Sequence, residues 1–181
     1  SEFESNLLHN SNKYVIYNTI GKNYEYKNKM LFKKNATDYK IIQMGQPSFC
    51  KGGHVLIYAM REVIRKKRTA KSFDAILLGA GSKGIFKKGN FAFFIKTLLF
   101  LNTKYFYSFL INIFKLRKHI KITDYIMDVK PYLEDSDIYI RTSLSGDSWG
   151  RDIIEAMSLG LLCIGSGESP FIEDGISGFL Y

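Results

Sequence analysis

Two carboxylates, Asp147 and Glu155, stand eight residues apart in the C-terminal part of this 181-residue chain. They lie around a junction where a β-rich run, residues 138–140, is followed by a loop of small polar residues and then by a helical run that opens at Trp149-Gly150. The first turn of such a helix leaves backbone N–H groups unpaired and carries the positive end of the helix dipole. Because both features attract anions, the junction predicts a phosphate-binding site.

The elements that must position this junction alternate along the chain. β-Rich runs predict strands at residues 14–17, 40–44, 75–78, 121–125, 138–140 and 161–165, and helical spacing predicts helices at 54–67, over most of 91–119, at 129–133 and at 151–159. This alternation is typical of an α/β fold in which a parallel sheet is covered by helices on both faces. Ligands of such folds bind at the carboxyl ends of the strands, where residues 45–51 and 143–150 are expected to lie.

The residues around the two carboxylates resemble a family signature. The run Gly146-Asp147-Ser148-Trp149-Gly150-Arg151-Asp152-Ile153-Ile154-Glu155-Ala156-Met157, followed by Gly160, is similar to the Glu-x7-Glu signature of family 4 retaining glycosyltransferases, with Asp147 in place of the first Glu. Residues 17–20, 44–52 and 173–180 resemble three further motifs of that family, in the family's order. Those enzymes have the GT-B architecture of two Rossmann-like domains, and the resemblance implies the C-terminal, donor-binding one.

The resemblance also implies roles for the matched residues in holding a nucleotide diphosphate sugar without a metal ion or another cofactor. Lys51 would stabilise the diphosphate leaving group, on which negative charge gathers as the glycosidic bond breaks. Asp147 would face the donor sugar, and Glu155 would accept hydrogen bonds from the two ribose hydroxyls. The other donor-binding residues are expected to be Gly45, Gln46, Gly146, Ser148, Trp149, Gly150, Arg151, Tyr125 and Ile126.

Each of these assignments has a structural alternative. Asp147 could be a helix N-cap, and Glu155 could complement the dipole of the helix. Gln46 stands where the family has Arg, and Asp147 is one methylene shorter than the usual Glu. Arg151 could be a substitute for the missing cation. The two departures keep open a second hypothesis, a degenerate nucleotide-sugar-binding domain without catalytic activity.

Two short motifs suggest other chemistry. Residues 79–84 fit the glycine fingerprint of NAD- or S-adenosylmethionine-dependent Rossmann enzymes, but their strand is not the first, and no acidic residue lies between Asp74 and Asp124 to hold a ribose. Asp135-Ser136-Asp137 has the Asp-x-Asp form of a metal site. Because it directly precedes a strand, turn or cap chemistry is the favoured interpretation.

The length suits one α/β domain, whereas a GT-B enzyme needs two. We therefore expect residues 1–13 to be a tag or interdomain connection and residues 14–181 to be a donor domain that is incomplete at its C-terminus. The acceptor, a glycan or a lipid-linked molecule of cell-surface polysaccharide biosynthesis, would bind to the missing N-terminal domain. The fragment alone is then expected to be inactive.

Charge is unevenly distributed along the chain. Residues 61–121 hold 15 basic and 2 acidic residues, whereas residues 122–181 hold 3 and 11. The basic part surrounds an aromatic run, 91–114, so it predicts either a solvated helical face over a core stripe or a surface that contacts anionic lipid. Nucleic acid is not an expected partner, because no binding motif accompanies the basic residues. Two distant cysteines, Cys50 and Cys163, indicate a reducing compartment, so the expected location is the cytoplasm, with the inner membrane face as a second site.

Overall fold

The computed structural model describes residues 38–45, 49–66, 72–81, 103–144, 150–167 and 169–181. These residues form six strands, β1 (Asp38–Met44), β2 (Ser72–Gly81), β3 (Ile120–Asp124), β4 (Ile138–Arg141), β5 (Leu162–Gly165) and β6 (Phe179–Leu180). They also form four α-helices, α1 (Gly53–Lys66), α2 (Thr103–Ile113), α3 (Lys130–Glu134) and α4 (Arg151–Ser158), and a 3-10 turn at Phe49–Lys51.

The six strands form one parallel sheet in the order β3-β2-β1-β4-β5-β6. The first described strand, β1, lies in the middle of the sheet. From there the chain runs outward through β2 and β3 and then returns to build the other half from β4. The order of the strands therefore reverses between β1 and β4, and a crevice for ligands forms at the carboxyl ends of such a pair. The sheet confirms the prediction of a Rossmann-like α/β domain.

Two apolar clusters cover the two faces of the sheet. Ile41 and Ile42 are adjacent in β1 and point to opposite faces, as successive strand residues must. Ile41 belongs to the cluster formed with α1 and α2, and Ile42 to the cluster formed with α3 and α4. Because both faces are buried, the central strands are almost continuous apolar runs rather than alternating ones.

Most of the predicted elements are confirmed, with different ends. The predicted strand at 14–17 and the first part of the helix predicted within 91–119 lie outside the described residues. Within the described part of that range, α2 ends at Ile113, six residues before the end of the range that was predicted to be mainly helical. There Lys115 adopts a φ of 57°, and the Leu116 N–H donates to the Ile111 carbonyl at 2.8 Å. This is the hydrogen bond of a Schellman ending, here without the usual glycine.

Within the part of the chain that the structure describes, no helix combines the length and apolar character needed to cross a membrane.

Candidate functional site

The loop after β1 brings Gly45 and Lys51 together. Gly45 has a φ of 145°, a conformation that favours glycine, and its N–H donates to the Leu78 carbonyl of β2 at 3.2 Å. A Cβ at Gly45 would lie 3.5 Å from Cγ of Lys51, so the lysine stem passes over the glycine backbone. The predicted cation and the predicted close-approach glycine therefore lie side by side at the carboxyl end of the central strand.

Two buried polar side chains fix the backbone of Lys51. The Gln43 amide donates from Nε2 to the Lys51 carbonyl at 2.8 Å and to Thr142 Oγ1 at 2.7 Å, and the Thr142 hydroxyl donates to the same carbonyl at 2.9 Å. Alongside, the Leu144 N–H donates to the Cys50 carbonyl at 2.7 Å. The loop after β1 is thus joined to the loop after β4, across the point where the strand order reverses.

Gly52 makes this junction possible. Its φ is 66°, and a Cβ there would lie 1.9 Å from the carbonyl oxygen of Thr142. Helix α1 starts at the next residue, so the chain turns sharply between the 3-10 turn and the helix. At this turn the backbone of Gly52 contacts Thr142, the residue that follows β4. Only glycine meets both conditions.

A recess opens beside Lys51 at the carboxyl ends of β1 and β2. The recess encloses about 220 Å³, including the open space at its mouth. Gln43 is one of its lining residues, and the buried Oε1 of this side chain has no hydrogen-bond partner among the described residues. Tyr107 of α2 closes one side of the recess, and burial raises the pKa of this phenol, so it is neutral. The lining residues are Gln43, Met44, Gly45, Lys51, Gly53, Leu77, Leu78 and Tyr107.

The start of α4 presents the second half of the site. Gly150 is the N-cap residue and caps the helix without a side chain, with a φ of −71°. A positive φ therefore does not explain this glycine. Arg151 begins the helix and is exposed, and its Nε lies 3.2 Å from Oε1 of Glu155 one turn later.

Glu155 is a buried carboxyl on α4, only 9% exposed. Burial raises the pKa of Glu155, and the charge of Asp152 raises it further, whereas the guanidinium of Arg151 lowers it. A carboxylate in this position lacks part of its hydration, and hydroxyl groups of a ligand would restore hydrogen bonds to it.

Sequence reasoning missed a buried ionic cluster beneath the start of α4. Arg141, the last residue of β4, places Nη1 3.7 Å from Oδ1 of Asp152, and the Tyr139 hydroxyl donates to Oδ2 of the same carboxylate. A Cβ at Gly150 would lie 2.5 Å from Arg141 Nη1, so the guanidinium packs directly against the N-cap. The sequence feature that could have indicated this cluster is Arg141, a charged residue at the end of the otherwise apolar strand β4.

Five of the expected site residues lie outside the described residues: Gln46, Gly146, Asp147, Ser148 and Trp149. Tyr125 and Ile126 follow β3, two strands away from β1 in the sheet. Tyr125 is 58% exposed, whereas Ile126 packs against the cluster under α3 and α4.

The Asp-x-Asp motif lies at the other end of the strands from Gly45 and Lys51. It precedes β4, so it belongs to the amino ends of the strands. There Asp137 Oδ2 accepts from the Lys40 N–H at 2.9 Å, and the Lys40 ammonium donates to both oxygens of Asp135 at 2.7 and 2.8 Å. Among the described residues, no cluster of three or more His, Cys, Asp or Glu side chains could hold a metal ion.

The glycine fingerprint begins inside β2 rather than after it. Gly79 has a φ of 76°, its N–H donates to Thr123 Oγ1 at 3.2 Å, and a Cβ there would lie 3.3 Å from the Gly45 carbonyl oxygen. The close approach to Gly45 accounts for this glycine. Residues 82–84 of the fingerprint lie outside the described residues.

Comparison with protein families assigns this chain to a class. The model of the family "Glycosyl transferases group 1" matches residues 27–181. The chain belongs to this family, which confirms the resemblance found in the sequence. A comparison with curated protein sequences gives no match.

Solved structures of other proteins share the fold, and one of them is a glycosyltransferase. Anabaena Alr3699/HepE in complex with UDP and glucose superposes with a TM-score of 0.69 and 21% identity, over 93% of this chain and 42% of that one. The glycosyltransferase from Rickettsia africae ESF-5 gives 0.61 and 22%, over 81% and 33%. A mutant of S. aureus TarM in complex with fondaparinux, alpha-GlcNAc-glycerol and UDP gives 0.66 and 19%, over 97% and 30%. The chain therefore spans less than half of the length of each of these proteins.

Proposed function

We propose that this chain is the donor-binding domain of a retaining glycosyltransferase. The whole enzyme would move a sugar from a nucleotide diphosphate sugar to a glycan or a lipid-linked acceptor, in the synthesis of a cell-surface polysaccharide. The observation that carries the proposal is the junction at the strand reversal. There Gln43 and Thr142 join the loop that carries Lys51 to the strand end that leads toward α4.

The diphosphate would bind between Lys51 and the start of α4. The free N–H groups of the first helical turn and the dipole of α4 favour an anion at Gly150 and Arg151. The stem of Lys51 lies beside Gly45, and its ammonium would stabilise the charge that develops on the diphosphate as the bond to the sugar breaks. These groups are fixed in advance by the fold, so we infer that no metal ion takes part.

Glu155 would bind the ribose of the nucleotide. Its carboxylate offers two acceptor oxygens, which suits a pair of neighbouring hydroxyls. Burial raises the pKa of Glu155, so a ligand that donates hydrogen bonds to the charged form gains more here than at an exposed carboxylate. The group on the sugar side would be Asp147.

A uridine nucleotide is the first donor to test, because the Alr3699/HepE and TarM structures were solved with UDP. Titration with UDP and GDP addresses the identity of the base. Degenerate binding without catalysis is the alternative within this class, since Gln46 replaces the arginine of the family.

We place the enzyme in the cytoplasm, at the inner face of the membrane. Neither Cys50 nor Cys163 forms a disulfide, and Cys163 is buried, which fits a reducing compartment. Helix α2 carries Tyr105, Phe109 and Ile113 at intervals of four residues, with exposures of 55%, 47% and 56%. This apolar stripe lies in the basic part of the chain, as the surface of an interfacial helix would.

Calorimetric titration of the 181-residue chain with UDP, GDP, NAD and S-adenosylmethionine in the presence of EDTA tests the proposal. We expect one nucleoside diphosphate to bind and NAD and S-adenosylmethionine not to bind. Glu155→Ala should weaken the binding, whereas Asp137→Ala, at the opposite edge of the sheet, should not. The proposal would be contradicted if NAD or S-adenosylmethionine bound and neither nucleoside diphosphate did. It would also be contradicted if a nucleoside diphosphate bound only after a metal ion was added.

A further inference from the structure

We propose that Arg141 is a positioning residue for the donor nucleotide, which neutralises Asp152 and holds the N-cap Gly150 so that the start of α4 can accept a diphosphate. The inference rests on the proposed function and concerns the same site. It adds a residue that the family signature does not contain, since Arg141 precedes the signature by five positions.

Asp152 poses an electrostatic problem for an anion site. It is the second residue of α4, where a negative charge stabilises the helix through its dipole. The same charge repels a diphosphate at that helix end. The repulsion is strong in a partly buried site because charges there are poorly screened by solvent.

Arg141 supplies the opposite charge from below the helix. It is 7% exposed, and its Nη1 is 3.7 Å from Oδ1 of Asp152. A buried arginine is costly unless it is paired, so its presence at the end of an apolar strand calls for a charged partner in this place.

Among the described residues, the other groups that face Asp152 do not provide this compensation. The Tyr139 hydroxyl on β4 donates a hydrogen bond to Asp152 but is neutral, since burial raises its pKa. Cys163 on β5 is also neutral, with a pKa that burial raises to about 12. On α4 itself, Glu155 adds negative charge, and the exposed Arg151 lies against Glu155.

Arg141 lies close to the N-cap residue Gly150 as well as to the carboxylate of Asp152. Its Nη1 would be 2.5 Å from a Cβ at Gly150, and Phe171 Cδ2 would be 3.3 Å from the same point. The guanidinium and the Phe171 ring therefore hold the Gly150 backbone, whose position sets the direction of the free N–H groups of α4. The absence of a side chain at residue 150 is explained by this contact.

The test compares Arg141→Met, Asp152→Asn and the double variant R141M/D152N in calorimetric titrations with UDP and with uridine. The unfolding free energy of each variant is measured in urea. Arg141→Met should weaken UDP binding at least tenfold because Asp152 is left unneutralised, and it should change uridine binding much less. Asp152→Asn should bind UDP at least as tightly as the wild type, and the double variant should return to within about threefold of it.

The outcomes separate this inference from the proposed function. If the wild-type chain does not bind UDP or another nucleoside diphosphate, both fall together. If the wild type binds UDP and folded Arg141→Met binds it equally well, only the role of Arg141 is refuted. The role of Arg141 would also be refuted if Arg141→Met lost equal affinity for UDP and for uridine. The same holds if the folded double variant bound UDP as weakly as Arg141→Met does. Should Arg141→Met fail to fold, Asp152→Asn decides: a loss of more than about threefold in UDP affinity overturns the inference.

Discussion

Gln43 and Thr142 are 99 residues apart in the chain, and their side chains are joined by a hydrogen bond of 2.7 Å from Nε2 to Oγ1. Both groups also donate to the carbonyl of Lys51. A single buried contact thus ties together β1, β4 and the turn that carries the cation of the proposed site. The two halves of the sheet meet here, so the site depends on the topology as much as on any one motif.

Thr142→Val tests this junction with little change in volume. It removes the hydroxyl while Gln43 stays buried, so one N–H donor of Gln43 loses its acceptor, and the Lys51 carbonyl loses one of its hydrogen bonds. We expect a loss of about 1–3 kcal/mol in the free energy of unfolding, and weaker UDP binding because Lys51 is less well fixed. The control is Ser72→Ala, which removes an exposed hydroxyl that bonds Asp38 at the amino edge of the sheet. Equal effects of the two substitutions in urea unfolding would contradict the role of the junction.

Gly52→Ala should be far more disruptive than Gly175→Ala. Both glycines have left-handed φ values, 66° and 75°, so both variants bear the strain of about 1–2 kcal/mol for a side chain in that region. Only Gly52 also meets a backbone atom, 1.9 Å from its Cβ position, whereas nothing lies within 4 Å at Gly175. Urea unfolding of the two variants measures the difference. Similar losses in the free energy of unfolding for the two variants would show that residue 52 is not in close contact with the Thr142 carbonyl.

The stability of the fold should depend on pH through Glu155. The pKa of this carboxyl is raised above 4.5 in the folded state by burial, so the folded protein holds the proton more tightly than the unfolded chain. Stability from this group is present in full below about 4.5 and is lost as the pH rises through the folded pKa. Glu155→Gln removes the effect.

Urea unfolding of wild type and Glu155→Gln between pH 4 and pH 8 checks this expectation. The Gln variant should gain stability relative to the wild type as the pH rises. A difference that stays constant over the range, or that changes in the opposite direction, would show that Glu155 titrates normally in the folded protein.

The apolar stripe on α2 should bind anionic vesicles. Tyr105, Phe109 and Ile113 are exposed, and Lys115, Arg117 and Lys118 follow directly after the helix. Each basic residue near an anionic surface contributes about 1 kcal/mol. We expect cosedimentation with anionic vesicles, none with neutral ones, and loss of binding at high salt. Phe109→Ser should weaken it, while Met127→Ser, at a residue 89% exposed outside α2, should not. Binding that ignores lipid charge, or that Phe109→Ser leaves unchanged, would refute this interpretation.

The fold was predictable from the sequence because alternating apolar strands and amphipathic helices leave few architectures open. The C-terminal end of α2 was not, since Lys115 takes a conformation that sequence patterns assign to glycine. The placement of Gly45 and Lys51 in the loop after β1, and of Glu155 on α4, followed from motifs read in order. Gln43, Thr142 and Arg141 were missed because their importance comes from contacts between distant segments, and a single polar residue in an apolar strand does not indicate its partner.

The central claim is that a nucleoside diphosphate binds with its ribose on Glu155. The most direct measurement titrates the wild type and Glu155→Gln with UDP and with 2′-deoxy-UDP, in EDTA, after both proteins are shown to be folded. A hydrogen bond to a charged group is worth about 1.5–3 kcal/mol, so the wild type should bind UDP roughly ten- to a hundredfold more tightly than the deoxy nucleotide. In Glu155→Gln the preference should be largely lost, with both ligands bound weakly. Unchanged UDP affinity in Glu155→Gln, or an undiminished preference for UDP over 2′-deoxy-UDP, would contradict the account.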